Sequence, residues 1–134
     1  MRVITGICRG HKLKAPKGLN TRPTSDKVKE SIFNILGYID EDSVVLDLFS
    51  GSGAVGIEFL SRGAKTCYFI DDNINSIKTI KENLQSTKLI DKSLVYKNDS
   101  YRALKILGSK NTKFNYIFMD PPYNKGLVLS ALEI

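Results

Sequence analysis

Asp120-Pro121-Pro122-Tyr123 is the stretch of this sequence best equipped for chemistry. It follows the aromatic and branched run Phe114–Met119, which reads as a buried strand, so the tetrad falls at a strand's carboxyl end. Pro121 and Pro122 fix two φ angles and remove two N–H donors, leaving stiff backbone whose carbonyls only accept. Asp120 precedes a proline and is biased to an extended conformation that holds its carboxylate forward. Tyr123 adds a flat face. Acceptors beside a stacking ring suit an exocyclic amine on a planar base.

A second motif is Asp47-Leu48-Phe49-Ser50-Gly51-Ser52-Gly53-Ala54-Val55-Gly56. Gly51, Gly53 and Gly56 spell G-x-G-x-x-G, a pattern that by itself permits a nicotinamide dinucleotide. The glycines let backbone approach a ligand, and the helix start behind them favours an anionic group. Asp47, ahead of the first glycine, points elsewhere: an acid there suits a ligand carrying an ammonium. S-adenosylmethionine combines ammonium, carboxylate, ribose diol and adenine, and so needs mixed polarity around it. Asp71 and Asp72 follow the next strand, where an acid can accept from ribose hydroxyls. Asp99, with Asn98 and Ser100 beside it, follows the third strand and can accept from an adenine amine. Each aspartate taken alone is better explained as a turn former or helix cap. Acids at 47, 71, 99 and 120, all on the ligand-binding edge, make a shared role the better account.

The elements that must position these residues alternate along the chain. Residues 2–8 and 11–15, split by Arg9-Gly10, suggest a short β-ribbon that ends at Pro16-Lys17-Gly18. Thr24-Ser25-Asp26 reads as a helix start, Val28, Ile32, Phe33, Ile35 and Leu36 as its apolar face, and Gly37 as its stop. Ser43–Leu48 is a strand, and the glycine loop opens a helix ending at Arg62-Gly63. Thr66–Ile70 is a second strand, followed by a helix with Ile74, Ile77, Ile80 and Leu84 at helical spacing. Ser93–Lys97, a short helix over Tyr101–Leu107, the strand Phe114–Met119 and a helix from Gly126 complete the pattern. Such alternation implies right-handed crossovers and a parallel sheet. There is no internal repeat and no low-complexity segment.

Composition narrows the class. The chain of 134 residues is 42% hydrophobic and 25% charged, which fits one soluble globular domain. No apolar run approaches membrane length, the basic N-terminus lacks a signal-peptide core, and two cysteines with one histidine make no zinc set. A cytoplasmic protein with reduced thiols and no metal is expected. The net charge is +6, and residues 1–30 hold Arg2, Arg9, Lys12, Lys14, Lys17, Arg22, Lys27 and Lys29 against only Asp26 and Glu30. The excess therefore sits in the N-terminal segment, as in a phosphate-contacting arm or, equally, a solvated face.

With these motifs in place, the sequence resembles the bacterial 16S ribosomal RNA guanine-N2 methyltransferases of the RsmD type, within the class I S-adenosylmethionine-dependent methyltransferases. Arg2–Gly6 with Arg9-Gly10 and Lys12-Leu13 is similar to the family's N-terminal ribbon, and Arg22–Asn34 to its first helix motif. Asp47–Glu58 with Ser61–Ala64 is similar to its cofactor segment, and Asp120–Tyr123 to its catalytic tetrad. The resemblance covers the whole chain, and Arg22–Asn34 is its most family-specific part. It implies an α/β, Rossmann-like domain over 1–134 with helices on both faces of a parallel sheet. Residues 1–24 would be a basic RNA-contacting ribbon leading into the first helix, and 25–134 a core incomplete after its fourth strand. The family sheet has further strands beyond that one, so the chain is expected to be a fragment, with later strands or another chain covering the fourth strand's edge.

By position, Asp47, Phe49, Gly51, Ser52 and Gly53 would hold the methionine end of S-adenosylmethionine. Asp71 with Asp72 would take the ribose, and Asn98, Asp99 and Ser100 the adenine. The family usually shows Glu where Asp71 stands. Asp120 and the Pro121 carbonyl would accept from a guanine N2 amine, with Pro122 stiffening the turn and Tyr123 stacking on the base. Arg2, Arg9, Lys12, Lys14, Lys17 and Arg22 would meet phosphates of 16S rRNA or of an assembling small subunit, giving affinity with little sequence information. Competing readings are a nicotinamide-dependent dehydrogenase, which leaves tetrad and arm unexplained, and a DNA or other RNA amino-methyltransferase. A non-catalytic RNA- or cofactor-binding fragment is the third.

Overall fold

The computed structural model describes residues 1–16 and 26–119. In chain order these form α1 (Asp26–Leu36), β1 (Val44–Leu48), α2 (Ala54–Ser61), β2 (Thr66–Asp71), α3 (Ile74–Ser86), a 3-10 turn (Ile90–Lys92), β3 (Ser93–Lys97), α4 (Ser100–Ser109) and β4 (Tyr116–Met119). Over these residues the expected alternation and parallel pairing are borne out; the helix expected from Gly126 and the helix start at Thr24-Ser25 lie outside the described residues. The sheet order is β3-β2-β1-β4, every neighbour parallel. The chain steps outward from β1 to β2 and β3, then returns to place β4 on the other side of β1. The strand order therefore reverses between β1 and β4, and the carboxyl edge at such a reversal is where α/β sheets form their ligand crevice.

Burial explains the strand sequences. β1 is buried almost throughout, as a central parallel strand covered on both faces must be. Phe33, Phe59, Phe69, Ile80 and Leu84 belong to the core on the α1, α2 and α3 side. Leu46, Leu48, Ile70, Ala103 and Leu107 form the core under α4. The α2–sheet contact is tight enough to exclude a methyl group. A Cβ on Gly56 would lie 2.3 Å from Phe69 Cε1 and 2.8 Å from Cys67 Sγ. Among the described residues β4 pairs only with β1, and Ile117 on it is 56% exposed.

Two local expectations are corrected. The ribbon over 2–8 and 11–15 is a single antiparallel bridge, Arg2 to Lys12, around a turn. Val3 N donates to His11 O and Leu13 N to Met1 O across that bridge, but donors after Val3 on the first limb turn to α2. Ile4 N and Thr5 N donate to the two carboxylate oxygens of Glu58 (2.8 and 3.0 Å), Ile7 N to Ser61 O and Cys8 N to Ser61 Oγ. The apolar face expected on α1 holds at Phe33, which is buried, and at Ile32, which packs against the core, but Val28 and Ile35 are 51% and 85% exposed while Lys29 is buried.

Lys29 is inside because Glu58 is inside. Lys29 Nζ lies 3.4 Å from Glu58 Oε1 and donates to Arg2 O at 2.6 Å, with both ionic side chains fully buried. Arg62 Nε reaches Glu58 Oε2 at 2.8 Å, and its guanidinium sits 4.5 Å over the Phe33 ring. Burial pulls the Lys29 ammonium below its ordinary pKa, and the Glu58 carboxylate opposes that shift. The N-terminal arm, α1 and α2 thus share one buried charge cluster.

Candidate functional site

The loop between β1 and α2 carries the least ordinary backbone among the described residues. Phe49, a non-glycine residue, has φ 57°, and Gly51 and Gly53 follow at 60° and 79°. Left-handed conformation at a bulky side chain costs free energy, and such positions concentrate where a loop must be shaped for a ligand. Hydrogen bonds hold the loop to β2: Ser50 N donates to Ile70 O, Ile70 N to Ser50 Oγ, and Gly51 N to Asp71 Oδ2 at 2.9 Å. Gly53 N donates to Ser50 O, and Gly53 then opens α2.

Asp47, Asp71 and Asp99 each have a structural partner. Asp47 is buried, and its Oδ2 accepts from Gly56 N at 3.1 Å, bracing the first turn of α2. Asp71 accepts from Gly51 N through one oxygen and from Asn73 N through the other. Burial raises its carboxyl above the ordinary aspartate pKa, and the two backbone donors work against that rise. Asp99 caps α4, with Oδ2 accepting from Arg102 N at 3.2 Å, and Ser100 is the buried first residue of that helix. Asn98 N donates to Asp71 O, joining the ends of β2 and β3. Asp72 is exposed beside them.

The structure therefore brings Asp47, Phe49, Gly51, Ser52 and Gly53 together with Asp71 and Asn98 at one sheet edge, with Asp72, Asp99 and Ser100 next to them in the chain. Met119, at the end of β4, is in register with Leu48 at the start of the same loop. The tetrad Asp120, Pro121, Pro122 and Tyr123 lies outside the described residues, as do Lys17 and Arg22. Of the other basic candidates, Arg9 and Lys12 are exposed. Arg2 pairs with Asp26 at 3.5 Å, and Lys14 with Glu82 at 3.1 Å. A groove of about 420 Å³ runs between the β2–β3 surface and α4, and Asn98 lies on its wall.

Sequence reasoning passed over three residues that organise the site. Glu58 interrupts the apolar run of α2, which is the mark of a buried, paired charge. Ser61, on the same helix, accepts from the arm and donates through Oγ to Thr5 O. Asn83 falls beside Ile80 and Leu84 on the buried side of α3, where a polar side chain needs partners of its own.

The fold is that of a class I S-adenosylmethionine-dependent methyltransferase. An Escherichia coli structure, yhhF, superposes with a TM-score of 0.80 at 31% identity, covering 99% of this chain and 70% of that one. One from a Thermus species superposes with a TM-score of 0.85 at 28% identity, covering 98% and 78%. Within that class, the chain belongs to the family described as "Conserved hypothetical protein 95", the RsmD-type family, whose model matches residues 1–133. The Bacillus subtilis protein YlbH is 50% identical over 134 residues, all of this chain and 73% of that protein. The Escherichia coli protein named ribosomal RNA small subunit methyltransferase D is 36% identical over the whole chain, which spans 66% of its length.

Proposed function

We propose that this chain carries the cofactor half and the catalytic tetrad of an enzyme that transfers methyl from S-adenosylmethionine to the exocyclic N2 of a guanine in 16S rRNA. The observation that carries the reading is the strained Phe49–Gly53 loop, fastened through Gly51 to Asp71 at the sheet's switch point. The membership of the chain in a family that includes proteins named for small-subunit rRNA methylation supplies the substrate class.

The residues present fit S-adenosylmethionine by the chemistry of their donor set. Asp71 and Asn98 meet where a ribose and an adenine need acceptors, and a glycine-shaped helix start stands beside the buried carboxylate of Asp47. Asp47, Phe49, Gly51, Ser52 and Gly53 would hold the methionine end, Asp71 and Asp72 the ribose, and Asn98, Asp99 and Ser100 the adenine. When bound, the cofactor supplies an electrophilic methyl on a sulfonium.

Asp120 and the Pro121 carbonyl accept from the two protons of the guanine N2 amine. That nitrogen is a weak nucleophile because its lone pair is delocalised into the ring. Acceptors on both protons favour a pyramidal nitrogen and stabilise positive charge developing on it, by about 3–4 kcal/mol on the scale of a single preorganised oxyanion donor. Pro122 keeps the turn stiff and Tyr123 stacks on the base. The base must leave its own stack to arrive there, which is least costly in an RNA loop. Arg2, Arg9, Lys12, Lys14, Lys17 and Arg22 engage flanking phosphates.

The test is transfer of labelled methyl to small ribosomal subunits lacking the modification, beside naked DNA and with S-adenosylmethionine titrated against NAD. Labelled N2-methylguanine in 16S rRNA is the expected product. Labelled DNA, or tighter binding of NAD, would replace the reading with another.

A further inference from the structure

Asn83 joins the basic arm to the cofactor loop through one buried amide. Its Oδ1 accepts from Lys14 N at 2.9 Å, and its Nδ2 donates to Lys14 O at 3.0 Å and to Ser52 O at 2.9 Å. The two bonds to Lys14 are the pair that a neighbouring strand would make, so Asn83 takes the place of a strand against the arm. The third bond lands on the loop. Ser52 is held a second time by the arm, because its Oγ donates to Met1 Sδ at 3.6 Å. Met1 is in turn tied to the residue before Lys14 by the arm's own link, Leu13 N to Met1 O.

Helix formation does not account for this residue. Asparagine is a mediocre helix former because its side chain competes for backbone groups, and α3 already has an N-cap in Asn73. Asn83 is 1% exposed and Ser52 4%, so neither can exchange these bonds for water without opening the structure. A planar amide bonded on both sides also has little slack. Displacing Lys14 must either carry Ser52 with it or break a buried hydrogen bond.

We propose that Asn83 is a positioning residue that couples occupancy of the arm to occupancy of the cofactor loop, so that RNA and S-adenosylmethionine each tighten the other's binding. The proposal rests on the functional reading given above. Stilling the motion left in the strut is a cost shared by both ligands, and whichever binds first lowers it for the second. Such coupling is reciprocal.

The test uses the intact chain and Asn83→Leu, which keeps the volume of the side chain and deletes all three bonds. S-adenosylmethionine is titrated calorimetrically with and without a saturating 16S rRNA fragment. The wild type is expected to bind it about fivefold more tightly with RNA present, at the low end of allosteric couplings. Asn83→Leu should bind each ligand alone while the enhancement falls below twofold. A folded variant that keeps the full enhancement overturns the proposal. Amide hydrogen exchange without ligand gives an independent reading. Gly53 and Ala54 should exchange about tenfold faster in Asn83→Leu while β1 and β2 stay protected, and unchanged loop exchange removes the strut. If Asn83→Leu does not fold, Asn83→Ala, which also deletes the three bonds and places the strongest helix former in α3, is read in the same two ways. A wild type that binds neither ligand overturns the functional reading, and the exchange experiment still decides for the strut.

Discussion

Glu58→Gln isolates what the buried charge cluster contributes. The carboxylate receives Ile4 N at 2.8 Å, Thr5 N at 3.0 Å and Arg62 Nε at 2.8 Å, and faces Lys29 Nζ at 3.4 Å, all at zero exposure of its side chain. A glutamine of the same shape keeps one acceptor oxygen and turns an NH2 toward donors. It also leaves the fully buried Lys29 donating to Arg2 O with no carboxylate against its ammonium. Breaking a buried pair from one side typically costs about 3–5 kcal/mol, whereas replacing both partners by apolar groups is close to neutral. Glu58→Gln should therefore remove about 3–5 kcal/mol in urea unfolding at pH 7, a large share of the roughly 5–15 kcal/mol available to a domain. Glu58→Leu with Lys29→Met should cost less than the two single substitutions summed. A net cost will remain, because Ile4 N and Thr5 N then lose their acceptor at about 1–3 kcal/mol each if they stay buried. A double-mutant cycle that gives a Glu58–Lys29 coupling below about 0.5 kcal/mol would refute the reasoning, since that is the size expected of an exposed pair.

Further outcomes follow from other parts of the molecule. Gly56→Ala places a methyl 2.3 Å from Phe69 Cε1 and should cost about 1–3 kcal/mol by overpacking, with a matching fall in the urea midpoint. Asp120→Ala should bind S-adenosylmethionine like the wild type in calorimetry yet transfer no labelled methyl; an affinity loss as large as that of Gly53→Val would remove Asp120 from catalysis. Lys12→Glu with Lys14→Glu should weaken RNA binding and flatten its dependence on salt by about two phosphate contacts, and an unchanged slope counts against the arm. Burial and Asp47 drive the Cys67 thiol well above its ordinary pKa, so less thiolate forms in the folded state at every pH below that value. Labelling of Cys67 with a disulfide reagent at pH 8 should accordingly track unfolding induced by urea, while the half-buried Cys8 reacts earlier.

Features fixed by local chemistry were legible in the sequence, and those fixed by which surfaces meet were not. Ser93–Lys97 is a strand with the bounds that its branched residues and flanking turns suggest, and Gly37 ends α1 at φ 70° as a left-handed cap does. The clustering of Asp47, Gly51, Asp71 and Asn98 follows from the parallel order of β1, β2 and β3, which the alternation already implies. The arm is different. Residues 2–8 and 11–15 read as paired strands because nothing local reveals that Glu58, more than fifty positions away, takes the N–H groups of Ile4 and Thr5. The apolar positions of α1 likewise suggest a face inward at Val28 and Ile35. A distant carboxylate instead satisfies Lys29, which joins Phe33 in the core while Val28 and Ile35 stay exposed.

The structural bonds of the strand-end aspartates leave room for the role proposed for them. Asp71 spends one oxygen on Gly51 N and the other on Asn73 N, which shapes the loop and starts α3. Each carboxylate oxygen has two lone pairs, so both bonds leave acceptor capacity for a diol. Asp47 likewise braces Gly56 N at the first turn of α2, and Asp99 caps α4 while standing next to Asn98. A carboxylate already fixed by backbone donors presents a ligand with an acceptor whose rotamer entropy has been lost during folding, not during binding. Replacing Asp71 by Asn should expose this double duty. The shape is kept, but the amide can accept through only one oxygen, so either Gly51 N or Asn73 N loses its partner. Cofactor affinity should then fall together with protection of the Gly51 or the Asn73 amide, and a loss of affinity with both amides still protected would assign Asp71 to the ligand alone.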